Sequence, residues 1–219
     1  MTYKAVIFDL DGTLLDTLDD LADAGNRVLA AEGLPVHPVP EYRYFVGDGM
    51  QALVRRILPR HLRSPEQIER LILAFREDYG RNWQVKTRAY QGIGEMLTAV
   101  QDRGLSLNVL SNKPHDFTRL CVSEFFRHWE FDHVLGLRPG SHRKPDPAGA
   151  LEIAGRLGIP AADFLYLGDT ATDMKTAAAA GMYPVGALWG FRSAAELKEA
   201  GARRLIAEPS ELPGLLSAG

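Results

Sequence analysis

From Leu105 onward, short apolar runs alternate with segments of helical periodicity, and this alternation restricts the possible folds more than any other feature. Strands are predicted at residues 105–110, 131–135, 164–167, 183–188 and 204–207. Helices are predicted from residue 116, from Pro147 to Gly158, at 171–180 and 193–200, and after a cap at Ser210. Strands that alternate with helices form βαβ units with a parallel sheet between two helical layers. The predicted fold class is therefore α/β, with a doubly wound parallel sheet.

One strand of this sheet lies far from the others in sequence. Residues 5–8 (AVIF) are all apolar, which is typical of a strand covered on both faces. Residues 16–87 show no convincing strand but carry three helical patterns, at 18–32, 49–58 and 65–83. We therefore predict a core of residues 1–15 and 88–219 and an inserted all-helical cap of residues 16–87, with hinges near 14–17 and 87–92.

Charge and composition exclude several classes of partner. The net charge of −3 provides no electrostatic reason to bind nucleic acid or an anionic membrane. A single cysteine, Cys121, excludes an internal disulfide framework and suits a reducing compartment. Neither a signal peptide nor a membrane span is evident, so the expected location is the cytoplasm, with neither nucleic acid nor membrane as partner.

Polar residues follow several of the predicted strands. In open parallel sheets, ligands bind beyond the carboxyl ends of the strands. The residues expected at that edge, together with the lysine before the helix at Pro147, are Asp9, Asp11, Gly12, Thr13, Ser111, Asn112, Lys113, Lys144, Gly168, Asp169, Thr170 and Asp173. Carboxylates are hard oxygen ligands that suit Mg²⁺, whereas hydroxyl, amide and lysine groups suit phosphoryl oxygens. This combination predicts a phosphoryl-transfer site.

Four short segments carry a resemblance to a known family. "DLDGT", "LSNK", "KPDP" and "GDTATD", in this order, resemble the four motifs of the haloacid dehalogenase superfamily. The insertion after the first strand resembles the helical C1 cap of its phosphatase branch. "DGTLLDT" followed by "YFVGDGMQALVRR" looks most like the phosphoglycolate phosphatase group. The resemblance implies a Rossmann-like core, a Mg²⁺ cofactor and hydrolysis of a small phosphorylated metabolite.

The resemblance also implies roles for individual residues. Asp9 is expected to be the nucleophile that forms an aspartyl-phosphate, and Asp11 the general acid and then the general base. Ser111 and Lys144 are expected to grip phosphoryl oxygens. The implied metal site consists of the carboxylates of Asp9 and Asp169 and the backbone carbonyl of Asp11, with Asp173 in an outer shell. Gly12, Thr13 and Asn112 are expected to make further contacts with the phosphate.

Asp11 narrows the reaction type. Dehalogenases resemble this pattern but lack an acid two residues after the nucleophile, because halide departs without a proton. Phosphonatases of the same fold use a cap lysine, and between residues 16 and 87 the only lysine is Lys86, at the boundary. Asp11 therefore favours hydrolysis of a phosphate ester, since an alkoxide leaving group needs a proton.

The turn "GDGMQA" at residues 47–52 is expected to begin a cap helix whose free amides face the active site. A substrate carboxylate would fit there, with Gly47 at the turn and Arg43 as a cationic partner; Arg55 and Arg56 are further candidates. Asp48 opposes this arrangement unless it points away or pairs with an arginine. On this basis the predicted substrate is 2-phosphoglycolate.

Other functions remain open on the sequence. Within the class, the alternatives are a sugar-phosphate or nucleotide phosphatase, and a phosphoglucomutase-type phosphotransferase. From a different class, a non-catalytic aspartyl-phosphate switch shares the carboxylate cluster, the hydroxyl and the lysine, although receiver domains are much shorter and lack a cap. The expected oligomeric state is monomer or homodimer.

Overall fold

A computed structural model describes residues 3–216 and contains a six-stranded parallel sheet. The strands are β1 Ala5–Phe8, β2 Leu15–Asp16, β3 Arg88–Ala89, β4 Ser106–Pro114, β5 His133–Leu137, β6 Phe164–Gly168, β7 Tyr183–Ala187 and β8 Arg204–Ile206. The strand order in the six-stranded sheet is β5–β4–β1–β6–β7–β8. The first strand lies at the centre of the sheet, where it pairs in parallel with β4 and β6. The predicted doubly wound α/β fold is confirmed.

Helices cover both faces of the sheet. They are α1 Leu18–Ala31, α2 Tyr42–Phe45, α3 Met50–Ile57, α4 Pro65–Asn82, α5 Ile93–Gln101, α6 His115–Phe125, α7 Ala148–Leu157, α8 Ala171–Ala180, α9 Ala194–Glu199 and α10 Leu212–Leu216. Because side chains alternate along a strand, Val6 and Phe8 join the apolar cluster that contains α5, α6 and α10. Ala5 and Ile7 join the opposite cluster, which contains α7 and α8. All four side chains are fully buried, which explains the continuous apolar run.

The inserted helices α1 to α4 lie between β2 and β3 in the chain. Strands β2 and β3 form a two-residue antiparallel ladder, so the two places where the chain crosses between sheet and insertion lie side by side. The apolar cluster on one face of the sheet continues into the insertion through side chains such as Leu53 and Phe75. The helical insertion is confirmed, whereas the domain bounds 1–15, 88–219 and 16–87 stay a prediction.

Strand β4 is longer than its predicted apolar run. It extends through Ser111, Asn112 and Lys113 to Pro114, and its register against β5 shifts between Leu110 and Pro114. Polar residues that resemble a turn in sequence are therefore held in the sheet, where they are buried. The irregular pairing places them at the carboxyl edge, beside the end of β1.

Some local features of the structure differ from the sequence prediction. The last helix begins after a 3-10 turn at Pro209–Glu211, and the capping residue is Glu208, in a reciprocal capping box with Glu211, rather than Ser210. Helix α2 was not predicted, because a helix of four residues is too short to show a period. Within residues 3–216, no helix has the length and apolar character needed to cross a membrane.

Candidate active site

A cavity lies between the carboxyl edge of the sheet and the inserted helices. Its polar wall comes from the ends of β1 and β4, with Asp9, Asp11, Ser111, Asn112 and Lys113. Its apolar wall comes mainly from the insertion and α6, with Leu21, Val46, Met50, Leu53, Phe75, Tyr79 and Phe117. The structure thus brings together groups from distant parts of the chain, as the strand-end argument predicted.

Three buried carboxylates form the acidic centre of this edge. One oxygen from each of Asp9, Asp169 and Asp173 lies within 4.8 Å of the others, and the three side chains are buried. Asp9 follows β1, whereas Asp169 follows the neighbouring strand β6. Oxygen donors at this spacing fit a hard divalent cation such as Mg²⁺.

Lys144 is the cation closest to these acids. Its ammonium lies 2.8 Å from Asp9 Oδ1 and 2.7 Å from Asp173 Oδ1, and it donates to the carbonyl of Leu110 at 3.1 Å. The side chain is almost fully buried. Burial disfavours the ammonium, but the charges of Asp173 and Asp9 outweigh this effect and raise the pKa of Lys144 well above its usual range.

The carboxylates carry more negative charge than Lys144 alone can balance. Burial and the neighbouring charge of Asp173 raise the pKa of Asp9 well above its ordinary value. The same two causes raise the pKa of Asp169 to about 7, although hydrogen bonds from Phe191 and Thr13 partly oppose them. A divalent cation would remove this imbalance, so the donor set and its charge both fit a metal.

Asp173 is the carboxylate most occupied by protein contacts. Its Oδ1 accepts from Lys144, and its Oδ2 accepts from the backbone N–H and the hydroxyl of Thr170. The bonds with Thr170 belong to a capping box at the start of α8, which fixes the Asp173 side chain at the sheet edge. The outer-shell position of Asp173 stays a prediction.

Gly12 and Thr13 lie beside Asp169 rather than in the cavity wall. The N–H of Gly12 donates to the carbonyl of Leu15 at 2.8 Å, so it is not free for the phosphate contact expected of it. The hydroxyl of Thr13 donates to Asp169 Oδ1 at 3.0 Å. The tight turn after β1 places Gly12 and Thr13 next to Asp169, at the end of β6. Both residues therefore adjoin the acid cluster and not the cavity.

Ser111 and Asn112 both line the cavity, but their side chains make different contacts. The Ser111 hydroxyl accepts from the backbone N–H of Lys113 at 3.2 Å, which leaves its own proton available. The Asn112 amide donates to the carbonyls of Gly47 and Lys144, and accepts from the Lys144 N–H. The Asn112 side chain therefore joins the loop of Lys144 to the insertion, and only its backbone remains for a phosphate.

Lys113 makes a contact that the sequence did not indicate. Its ammonium donates to Asp11 Oδ1 at 2.9 Å and to the hydroxyl of Tyr79, on α4, at 2.8 Å. Burial disfavours this ammonium, yet the charge of Asp11 outweighs the effect and raises the pKa of Lys113 well above its usual range. The position of Lys113 at a strand end, after Ser111 and Asn112, was the sequence signal that placed it near the site. Tyr79 is 34 residues away, and no sequence signal connected it to the site.

The turn before α3 lies close to the site, but the predicted arginines do not. Gly47 lines the cavity, and Asp48 pairs with Arg56 and accepts from Thr172 of α8 at 3.0 Å. Burial acts to raise the pKa of Asp48, but the hydrogen bond and charge of Arg56 lower it overall. The Arg43 side chain is exposed and does not line the cavity, because α2 sits outside the cavity wall.

The loop after β7 contributes contacts that were not predicted as part of the site. The backbone N–H of Phe191 donates to Asp169 Oδ2 at 2.8 Å, and the Trp189 indole donates to the carbonyl of Thr13 at 2.9 Å. Gly190 lies so close that an added Cβ would be 2.3 Å from the Asp169 Cβ.

Comparison with known proteins agrees with this geometry. A family model described as "Haloacid dehalogenase-like hydrolase" matches residues 6–187. The fold and site define a hydrolase with a doubly wound α/β core and an inserted helical cap, and the chain belongs to the haloacid dehalogenase-like hydrolase family.

Individual relatives and structures are similar along most of the chain. A phosphoglycolate phosphatase of Pseudomonas savastanoi pv. phaseolicola is 33% identical over 218 residues, which cover 97% of this chain and 80% of the relative. One from Nitrosospira multiformis is 33% identical over 204 residues, covering 91% and 89%. The structure of a candidate phosphoglycolate phosphatase from Lactobacillus delbrueckii subsp. bulgaricus superposes with a TM-score of 0.93 at 30% identity, covering all of both chains.

Proposed function

We propose that this hydrolase is a Mg²⁺-dependent phosphatase of small phosphate monoesters, and that 2-phosphoglycolate is its substrate. The observation that carries the proposal is the shared cavity of Asp9 and Asp11, backed by the buried acids and Lys144. A nucleophile and a separate proton donor at one phosphorus are what hydrolysis of an alkyl phosphate requires.

Asp9 is the proposed nucleophile. Its Oδ1 accepts from the N–H of Leu10 and from Lys144, whereas no described residue donates to Oδ2. The two bonds hold the carboxylate still while Oδ2 remains free to attack phosphorus. The phosphorus–oxygen bond to the leaving group breaks as the bond to Asp9 forms, and water later cleaves the aspartyl-phosphate.

Asp11 is the proposed acid and base. It protonates the leaving alkoxide in the first step and accepts a proton from the attacking water in the second. The Ser111 hydroxyl, whose proton is not used by the Lys113 backbone, is placed to donate to a phosphoryl oxygen. Mg²⁺, which Asp9, Asp169 and the Asp11 carbonyl would hold, supplies the positive charge that lets a carboxylate approach an anionic phosphate.

The substrate assignment rests on the relatives named phosphoglycolate phosphatase and on the start of α3. Gly49 is the N-cap residue of α3 and has no side chain that could accept a hydrogen bond from the amides of the first turn. Gly49 and Met50 line the cavity. The free amides of the first turn suit a small carboxylate. Arg43 stays a prediction for this role, although its side chain is exposed.

Release of inorganic phosphate tests the proposal. We expect turnover of 2-phosphoglycolate above a panel of sugar and nucleotide monophosphates, abolished by EDTA and by Asp9→Asn. Preference for another ester would contradict the substrate and retain the phosphatase. An adduct on Asp9 that accumulates without phosphate release would contradict hydrolysis and favour the switch.

A further inference from the structure

Lys113 connects the proposed acid and base to the inserted helices. Its ammonium lies 2.9 Å from Asp11 Oδ1 and 2.8 Å from the Tyr79 hydroxyl, and its side chain is 4% exposed. A buried lysine that donates to only one carboxylate oxygen fixes the orientation of that carboxylate. Among the described residues that line the cavity, Lys113 is the only lysine or arginine.

The contact distinguishes the two oxygens of Asp11. Lys113 donates to Oδ1, and within residues 3–216 no hydrogen bond reaches Oδ2. The ammonium has only protons to donate, so a proton on Asp11 must sit on Oδ2. The positive charge also stabilises the carboxylate that Asp11 becomes once its proton has moved to the leaving oxygen.

Tyr79 supports Lys113 from the insertion. Its ring stacks on Phe75 at 5.8 Å and contacts Phe117 of α6 edge-on at 5.3 Å, and the side chain is 1% exposed. The Lys113 ammonium also lies 4.8 Å from the centre of the Tyr79 ring. Since Tyr79 belongs to α4 and Lys113 to β4, the hydroxyl links the insertion to the acid on the core.

We propose that Lys113 is the positioning residue that orients Asp11 for proton transfer, and that Tyr79 holds Lys113 in that place. The proposal rests on the phosphatase activity proposed above. Lys113 keeps all its protons during the reaction: the Oδ2 proton of Asp11 passes to the leaving oxygen as the phosphorus–oxygen bond breaks and the bond to Asp9 forms.

Leaving-group dependence tests this role. Alkyl phosphates such as 2-phosphoglycolate and glycerol 2-phosphate need a proton on departure, whereas p-nitrophenyl phosphate releases a stable phenolate without one. Values of kcat/KM report substrate binding and phosphoryl transfer to Asp9, and they exclude the later hydrolysis of the aspartyl-phosphate. The variants are Lys113→Met and Tyr79→Phe, with Asp11→Asn as reference and with Lys198→Met and Tyr44→Phe as exposed controls.

We expect Lys113→Met to lower kcat/KM for both alkyl phosphates about 10- to 100-fold, as partial loss of general-acid catalysis would, and to change p-nitrophenyl phosphate little. Tyr79→Phe, which keeps the ring, should give the same selectivity at about 2- to 10-fold. Asp11→Asn should show the same selectivity with a larger loss of kcat/KM for the alkyl phosphates. The two control variants should leave kcat/KM unchanged for alkyl phosphates and for p-nitrophenyl phosphate. Thermal melting shows whether Lys113→Met folds; Tyr79→Phe carries the test if it does not.

Three results would overturn the proposal, and they differ from one another. Equal losses on alkyl and aryl esters would assign Lys113 a merely structural role. A loss confined to 2-phosphoglycolate would show that Lys113 reads the substrate carboxylate instead. If the wild type hydrolyses none of the three esters, the proposed function itself fails, and the positioning role fails with it.

Discussion

Gly12 lies where the backbone comes closest to the acid cluster. Its φ is +86°, and an added Cβ would lie 2.3 Å from Asp169 Oδ2 and 2.8 Å from the Phe191 ring. A side chain there is excluded for two separate reasons, one conformational and one steric. The "DG" of the first motif therefore sets the position of a carboxylate that is 157 residues away in sequence.

We expect Gly12→Ala to lower turnover about 100-fold or more, because the methyl group must displace the Asp169 carboxylate from its place beside Asp9. The left-handed backbone should add a loss of roughly 1–2 kcal/mol in the free energy of unfolding. Phosphate release and urea denaturation measure the two effects.

Gly104→Ala is the matched control for that variant. Gly104 has a similar φ of +72°, but nothing lies within 4 Å of its added Cβ. It should lose similar stability and keep full turnover. If both variants lose turnover equally, the crowding at Asp169 is not the cause.

Helix α1 is tied to the second crossing by one buried carboxylate. Asp20 accepts the backbone N–H groups of Lys86 and Thr87 and the Thr87 hydroxyl, at 2.8 to 3.0 Å. These bonds hold the chain where it returns from the insertion to the sheet. They lie next to the β2–β3 ladder, so both crossings are fixed at one place.

Asp20→Ala should cost about 2–4 kcal/mol in the free energy of unfolding, since it leaves buried donors without an acceptor. Asp19→Ala is the control: Asp19 lies in the same first turn of α1 but is partly exposed and should cost well under 1 kcal/mol. Urea denaturation of both variants gives the comparison. Equal costs would show that helix-terminal charge, rather than the crossing contact, stabilises α1.

Considered as a whole, the molecule gathers Asp9, Asp169 and Asp173 at one place, and the Lys144 ammonium pairs with Asp9 and Asp173. The sheet brings these acids together because β1 and β6 are neighbours, and all three side chains are buried. Folding therefore creates a site with unbalanced negative charge, and a bound divalent cation should stabilise the native state.

We expect millimolar Mg²⁺ to raise the melting temperature of the wild type by several degrees over the EDTA-treated protein. Asp169→Asn should abolish most of this increase, because it removes a carboxylate from the cluster. Asp102→Asn, at an exposed position after α5, should keep it. An unchanged response in Asp169→Asn would place the metal elsewhere.

The fold class and the acidic edge could both be predicted from local patterns. The run at residues 5–8 specifies a doubly covered strand, and the acids after it must then lie at the carboxyl edge of the sheet. Ser111 and Asp169 were predicted on the same geometric ground, whereas Lys144 was predicted from its place before the helix at Pro147. Their residue types already limited the chemistry to hard cations and phosphoryl groups.

Contacts between distant segments depend on packing and could not be predicted in this way. The sequence shows neither that Tyr79 reaches Lys113 nor that Arg43 stays outside the cavity, because both depend on how α2 and α4 pack on the sheet. Likewise, the sequence does not show that the Asn112 amide contacts the carbonyls of Gly47 and Lys144. Strand order and residue type thus specify the chemistry, whereas the docking of the inserted helices decides which side chains surround the substrate.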